Sequence, residues 1–452
     1  MDGMQISIIV FILVYIAITF ELVNKAVAVF SGVSILVLFH FISPHIPSLD
    51  GGHTENIPYA IMLIDYETIM LLFGMMIIVS VLKHSGLFTI IAVKIAELTK
   101  GKPIKILILF SFVTAIMSAF LDNVTTVLIV IPLIIELTRG LGLNPKKYVL
   151  SQIMISNIGG AATLIGDPPN VIIGSKVGLT FNQFLYNMGP PIIIIFIVVL
   201  AFIWIINRDE FKSIDDDVIK LFTVNLLLEK IRHDYGNTNV DKPLIIKGLI
   251  FLAITILLFI TQTITHLPPG VVAISMGVFL VLYTKSDIEK ILEDVEWTTL
   301  MFFVGLFILV GSLEHYHVIK WIADNVFNNL GDNPYINILV VQWVSGIASG
   351  FLDNIPFTIT MIPIIEIMHK AEPFMSNLFL QEQLWWALAF GACLGGNITM
   401  IGASANIVSI GIAKKSGVNI SFIEFMKLGG AVSLISLLIV SIYLIIRISI
   451  II

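Results

Sequence analysis

A run such as PPIIIIFIVVLAFIWII, residues 190–206, leaves a chain few ways to fold. It has no charged group, and runs like it recur from end to end. About 20 apolar residues suffice to cross a bilayer. Inside lipid every backbone polar group must be paired within the protein, so a spanning segment is a helix or part of a closed barrel. The runs lack the alternation of barrel strands, so they predict helices. The expected fold class is an all-α polytopic membrane protein. Composition agrees: 57% of residues are hydrophobic and 12% charged, with a mean hydropathy of +1.00. Soluble domains carry about 25% charged residues. The first run, ISIIVFILVYIAITF, has no basic leader or small-residue cleavage site and reads as a retained span. Cys393 is the only cysteine, which excludes an intrachain disulfide and argues against a thiolate metal site. No GxxxxGK[ST] and no HExxH occurs, so neither ATP hydrolysis nor a zinc peptidase is expected.

Lysine and arginine predict the sidedness. Residues 44–67 contain neither and are expected outside. Lys83, Lys94, Lys100, Lys102 and Lys105 follow the next span and are expected inside. Arg139, Lys146 and Lys147 form the next basic cluster. Between Lys105 and Arg139 lies one apolar stretch, interrupted only at Asp122-Asn123, with basic flanks that both belong inside. Residues 106–121 would make a helix of about 24 Å, short of a hydrocarbon core of about 30 Å. Residues 106–138 therefore read as a re-entrant hairpin with its tip within the membrane. A span over 148–175, broken by GGAATLIGDPPN, and the run at 190–206 follow. The charged segment 207–242 is expected to be a cytoplasmic linker.

The pattern then restarts. Shifted by 231 residues, FLDNVTTVLIVIPLII matches FLDNIPFTITMIPIIE at Phe, Leu, Asp, Asn, Ile, Pro and Ile. YETIMLLFG aligns with WTTLMFFVG at the same shift, and GGAATLIGDPPN with GGNITMIGASAN at a shift of 236. Matched Asp, Asn, Gly and Thr mark an internal repeat. An odd number of crossings, five plus one hairpin, would invert the second half. The expected organisation is 1–206 and 243–452 as two inverted repeats. The second holds a hairpin at about 335–368 and a broken span at about 385–413. All Lys and Arg except Lys176, Lys320, Lys370 and Arg447 then fall inside, and both termini outside.

Inverted repeats with broken helices are a transporter architecture, and their ligand site lies near the midplane where half-helices meet. Helix N-termini supply N–H groups and positive dipole ends, and Asp, Asn and Thr supply oxygen ligands. Helix capping is the plainer role for Asp122 and Asp353, but a Ser or Thr would cap as well. A carboxylate at mid-membrane costs roughly 2.5–3.5 kcal/mol on insertion scales, and such residues are functional by default. Asp167 before Pro168-Pro169 is as readily a plain cap, since Ala403 replaces it in the second half. The Glu314-His315-Tyr316-His317 cluster reads as an ordinary exposed loop, and residues 87–99 as an interfacial helix. Lys and Arg are missing from the four core segments, which argues against a large polyanion as cargo.

The motifs VEWTTLMFF, FLDNVTT, SNIGGAATLIGDPPNVIIGS, FLDNIPFTITMIP and ALAFGACLGGNITMIGASANIV resemble those of a known family. It joins the melanosomal P protein and its prokaryotic relatives with the arsenical pump membrane proteins and the citrate-type transporters, within the ion transporter superfamily. The likeness spans roughly residues 65–430. It implies a midplane site built from hairpin tips and unwound spans. Position by position, that site is Asp122, Asn123, Thr125, Gly160, Thr163, Asp167 and Asn170, with Asp353, Asn354, Thr358, Asn397, Thr399 and Asn406. The family's dicarboxylate/sodium symporters carry Ser-Asn-Thr at the tips, where this chain has Asp-Asn, and acidic tips repel a multivalent carboxylate unless cations bind too.

The expected function is secondary active transport of a small ion or oxyanion, coupled to H+ or Na+, with arsenite-type efflux favoured. Na+/H+ antiport, citrate or dicarboxylate permeation and a passive ion channel stand as alternatives, and an enzyme is not expected. Asp122 and Asp353 are the expected ligands of a coupling Na+ or H+, and no other cofactor is expected. The expected partners are the lipid bilayer and the transported ion. A homodimer and, through the resemblance, a separate ATPase subunit stay open; nucleic acid is not expected. The expected location is the plasma or inner membrane.

Overall fold

The computed structural model describes residues 3–19, 22–39, 59–208, 240–322, 331, 333–370 and 373–451. The predicted outer loop up to residue 58, linker residues 209–239 and residue 332 lie outside these. Among the described residues the chain is helical without strands.

The longer helices run in this order: α1 (Gly3–Thr19), α2 (Lys25–Leu38), α3 (Tyr66–His84), α4 (Leu87–Thr99), α5 (Pro103–Phe120) and α6 (Asn123–Gly140). Next come α7 (Pro145–Gly160), α8 (Pro168–Val177), α9 (Phe181–Ile206), α10 (Lys242–Ile260) and α11 (Pro269–Thr284). The last are α12 (Trp297–His315), α13 (Pro334–Leu352), α14 (Asn354–Met368), α15 (Leu378–Gly395), α16 (Ser404–Lys415) and α17 (Phe422–Ile451). Among the described residues, eight are long and apolar enough to cross a membrane: α3, α5, α6, α9, α10, α12, α13 and α17. The hairpin arms α5, α6 and α13 thus reach spanning length, which corrects the expectation that the helix over 106–121 falls short. The chain is a multi-pass membrane protein.

Two packing groups position the centre. On one side α3 packs on α10 and α11, and α12 on α2 and α1. Small residues bring α3 and α11 together: a Cβ added at Gly277 would stand 3.0 Å from the Gly74 carbonyl oxygen. On the other side α5 and α6 pack on α7, while α13 and α14 pack on α15. The short helices are exchanged between these sets, α8 lying on α14 and α15, and α16 on α6 and α7. The starts of α6, α8, α14 and α16 are thereby gathered in the interior. Helix α4, read as interfacial, buries Phe88, Ala92, Ile95 and Ala96, leaves Leu98 exposed and touches α3, α5 and α6.

The breaks follow from local chemistry. Helix α7 ends at Gly160, the chain is non-helical over 161–167, and α8 opens at Pro168 with Pro169 behind it. Proline is tolerated in a first helical turn, where its missing N–H would have no intrahelical acceptor. A Cβ at Gly160 would meet the Gly166 carbonyl oxygen at 2.5 Å, and one at Gly166 would meet the Gly160 oxygen at 2.5 Å. Only glycine allows the unwound strand to fold back so closely. Non-helical backbone at membrane depth survives only when enclosed by protein or lining water, and Ala161, Leu164, Ile165 and Asp167 are all buried.

Candidate functional site

The two hairpin tips differ in detail. Asp122 precedes α6 and caps it with both carboxylate oxygens. Thr125 donates its backbone N–H to Oδ1 at 2.8 Å and its hydroxyl to Oδ2 at 2.5 Å. Asp353 precedes α14 in a left-handed backbone conformation, with φ of +69°. The Ile355 N–H donates to its Oδ1 at 3.1 Å, and the Ser404 hydroxyl donates to its Oδ2 at 3.4 Å. A non-glycine residue in a sparsely populated region stores of order 1–3 kcal/mol, and such residues cluster at functional sites.

The asparagines beside these acids point to a shared acceptor. Asn123 and Asn354 each donate a side-chain N–H to Asp167 Oδ1 at 3.2 Å. Asp167 is fully buried and makes no side-chain capping bond to α8, so its carboxylate serves the tips. Its Oδ2 has no hydrogen-bond partner, and neither do the buried Asn123 Oδ1 and Thr126 Oγ1. Buried polar atoms are nearly always paired, so orphan oxygens on Asp167 and on the Asn123 bonded to it require an explanation.

Around this centre the breaks are tied down by reciprocal bonds. Asn170 donates to the carbonyls of Ala161 and Thr163 at 3.2 and 2.8 Å, and Asn406 donates to those of Gly396 and Thr399 at 2.7 and 2.9 Å. Each loop is also fastened to its hairpin. The Thr163 hydroxyl donates to the Ala119 carbonyl, and Thr399 to the Gly350 carbonyl at 2.5 Å. Asn157 donates to Asn397 Oδ1 and Asn406 Oδ1, both at 2.8 Å, and the Cys393 thiol donates to Asn170 Oδ1 at 3.4 Å. Positions 157 and 393 are related by the 236-residue shift, so each reaches the asparagine of the opposite half.

Of the residues expected at the site, Asn123, Asp167 and Asn354 meet directly. Gly160, Thr163, Asn170, Asn397, Thr399 and Asn406 build the unwound loops around them. Asp122 and Thr125 are engaged with each other, and Thr358 donates to its own helix at the Asn354 carbonyl, 2.7 Å away. Asp353 opens instead on a cavity of 640 Å³, lined also by Lys25, Ser404, Glu296, Asn24 and Thr299.

Sequence reasoning missed Asn157, Cys393, Lys25, Glu296 and Ser404. Asn157 stands within the SNIGG motif and had a local signal, and Glu296 precedes WTTLMFF. Lys25 had none. Lys and Arg are missing from the four core segments, yet a base reaches the second tip from outside them: the Lys25 ammonium donates to Ser404 Oγ at 2.6 Å, next to Asp353. Residues 379 apart in the chain meet there.

Comparison with known proteins places the chain. The family described as citrate transporter matches residues 15–391. A "46 kDa membrane protein" of Mycobacterium leprae is 38% identical over 442 residues, covering 98% of each chain. An uncharacterized transporter of Mycobacterium tuberculosis is 36% identical with the same coverage. The P protein of Mus musculus is 34% identical, the match covering 94% of this chain and 60% of that one. Among solved structures, the Alcanivorax borkumensis YdaH transporter covers 84% of each chain with a TM-score of 0.48 and 14% identity. Matched along most of its length, the chain belongs to the citrate transporter family of membrane proteins.

Proposed function

We propose that the chain is a secondary active transporter that moves a small ion or oxyanion by alternating access, coupled to H+ or Na+. The observation that carries this reading is Asp167. Both tip asparagines donate to one of its oxygens, and the other is buried without a partner. An unpaired carboxylate in a dry interior has to take up a proton or a cation, because desolvation without a counter-charge is too costly. The reciprocal bonds from Asn157 and Cys393 support reading the halves as inverted repeats around one site. Membership of the citrate transporter family supports a plasma or inner membrane location, and the distribution of Lys and Arg supports 207–242 cytoplasmic with the termini and 44–67 outside.

Arsenite-type efflux remains the favoured cargo class, since a neutral oxyacid is not repelled by acidic groups. The charge inventory favours a second reading, Na+/H+ antiport. Asp167 holds the centre, Asp353 and Glu296 line one cavity with Lys25, and Glu296 borders a second with the Asp294–Lys83 pair, so acids outnumber the bases beside them. A free citrate would meet net repulsion, so citrate-type transport requires accompanying cations. Purified protein in proteoliposomes decides between these. Flux of arsenite, citrate and Na+ is measured with Na+ and pH gradients imposed separately. Gradient-driven uptake with counterflow is expected. Flux that ignores both gradients and shows no counterflow would leave a passive channel.

A further inference from the structure

Lys25 opens α2, in the group formed with α1 and α12, whereas Ser404 opens α16 and Asp353 is the second hairpin tip. The Ser404 hydroxyl accepts from Lys25 at 2.6 Å and directs its single proton to Asp353 Oδ2 at 3.4 Å, so the three form an ammonium–hydroxyl–carboxylate chain. An ammonium has three donors, and Ser404 takes one. Its nitrogen also stands 5.0 Å from the centre of the Phe302 ring. The same cavity of 640 Å³ is lined by Glu296. Glu296 Oε2 accepts from the Thr299 hydroxyl at 3.0 Å, while its Oε1 is buried with no partner. One cavity thus holds two carboxylates and one ammonium, and Lys25 lies within electrostatic reach of both acids. One ammonium cannot neutralise two acids.

We propose that Lys25 is a tethered counterion, which competes with a monovalent cation for the cavity lined by Asp353 and Glu296. Binding of that cation releases Lys25 from Ser404 and so loosens a link between the two packing groups. The charge count selects the valence. Asp122 is not among the residues lining the cavity and Lys25 stays attached within it, so one further positive charge balances the two carboxylates there, while a divalent ion would leave an excess. The mechanism deepens the reading of a cation-coupled transporter and adds a cation seat distinct from the Asp167 centre. The other titratable groups near these acids are Asp122 toward Glu296, Tyr15 and Asp167 toward Asp353, and the Lys83–Asp294 pair, closed on itself at 2.7 Å, which lines a smaller cavity with Glu296.

The test uses the purified full chain in nanodiscs. Its thermal unfolding midpoint is followed while Na+ replaces choline at constant ionic strength, and separately while pH is varied in choline. Lys25→Met removes the competitor, and Lys25→Gln serves where Met lowers the yield. Either should lower the Na+ concentration needed for half-maximal stabilisation by about tenfold or more, because ligand stabilisation tracks occupancy of the native state. Lys25→Arg should keep the wild-type value, and adding Asp353→Asn to Lys25→Met should remove the gain, leaving whatever response the Asp167 centre gives. If the competing cation is a proton, the pH midpoint moves in the Lys25 variants while Na+ has no effect. Identical Na+ and pH responses in wild type and both Lys25 variants would overturn the proposal. So would a Lys25→Met gain that survives Asp353→Asn. Wild-type flux without these shifts leaves the transport reading standing and removes this one, and shifts without any flux do the reverse.

Discussion

Asp167, Asp122 and Asp353 are three carboxylates in apolar surroundings, and the structure gives each a different occupation. Asp122 is consumed by its cap, so Asp122→Asn, which still offers an oxygen to the Thr125 N–H, should leave transport near wild type. Asp122→Ala should lower stability by about 1 kcal/mol, the usual worth of a cap, read as a fall in the unfolding midpoint. Asp167→Asn should do the opposite. Deleting an unpaired buried charge should leave stability unchanged or raised, while gradient-driven flux falls steeply. Normal coupled flux in Asp167→Asn would sink its central role. Asp353→Gly removes the positive-φ strain and a buried charge but loses one capping bond and the long bond from Ser404. Strain of order 1–3 kcal/mol exceeds a cap of about 1 kcal/mol, so the variant should melt higher yet lose coupling. The Asp-Asn pairs were legible because a carboxylate inside an apolar run has no plain explanation. Which acid stays unpaired was not. Asp167 sits in a local Asp-Pro-Pro context that reads as a cap, and only the arrival of Asn123 and Asn354 from two other helices shows otherwise.

At the level of elements, local chemistry goes further. Gly159-Gly160 and Asp167-Pro168-Pro169 bracket the non-helical stretch, and both are signals carried by a few adjacent residues. The close approach they permit is testable. At Gly160 an added methyl meets backbone, which cannot rotate away. Gly160→Ala should therefore destabilise by about 1–3 kcal/mol, as overpacking does, and show a lower unfolding midpoint. An unchanged midpoint would mean that the loop has room the structure does not show. The exchange of α8 and α16 between the hairpin sets was invisible in the sequence, because no local pattern says which distant helix a short apolar segment will lie against.

For the molecule as a whole, the all-helical class was readable from apolar runs alone, since lipid leaves a chain few alternatives. Charge placement reads further, to a sidedness that labelling can check. In a Cys393→Ser background, where serine can still donate to Asn170, single cysteines go in at Lys102, Arg139 and Asn377. The first two should react with an impermeant thiol reagent only from the cytoplasmic side, and Asn377 only from outside. Labelling of positions 102 and 139 from opposite faces would remove the re-entrant hairpin, and the inverted organisation with it. Lys25 marks the limit of such reading. A lysine beside a short loop looks like any inside-facing charge until folding sets it next to Ser404.

The Cys393 thiol, fully buried and bonded across to Asn170, has one more implication. It is the single sulfhydryl in the chain, so the unmodified protein carries its own chemical stopwatch. A membrane-permeant maleimide can alkylate it only while the centre is parted, and at low reagent reactivity the rate reports the fraction of time it spends open. Cargo or coupling ion that holds the centre together should slow the modification, and any that drives it apart should quicken it, before a single flux has been measured.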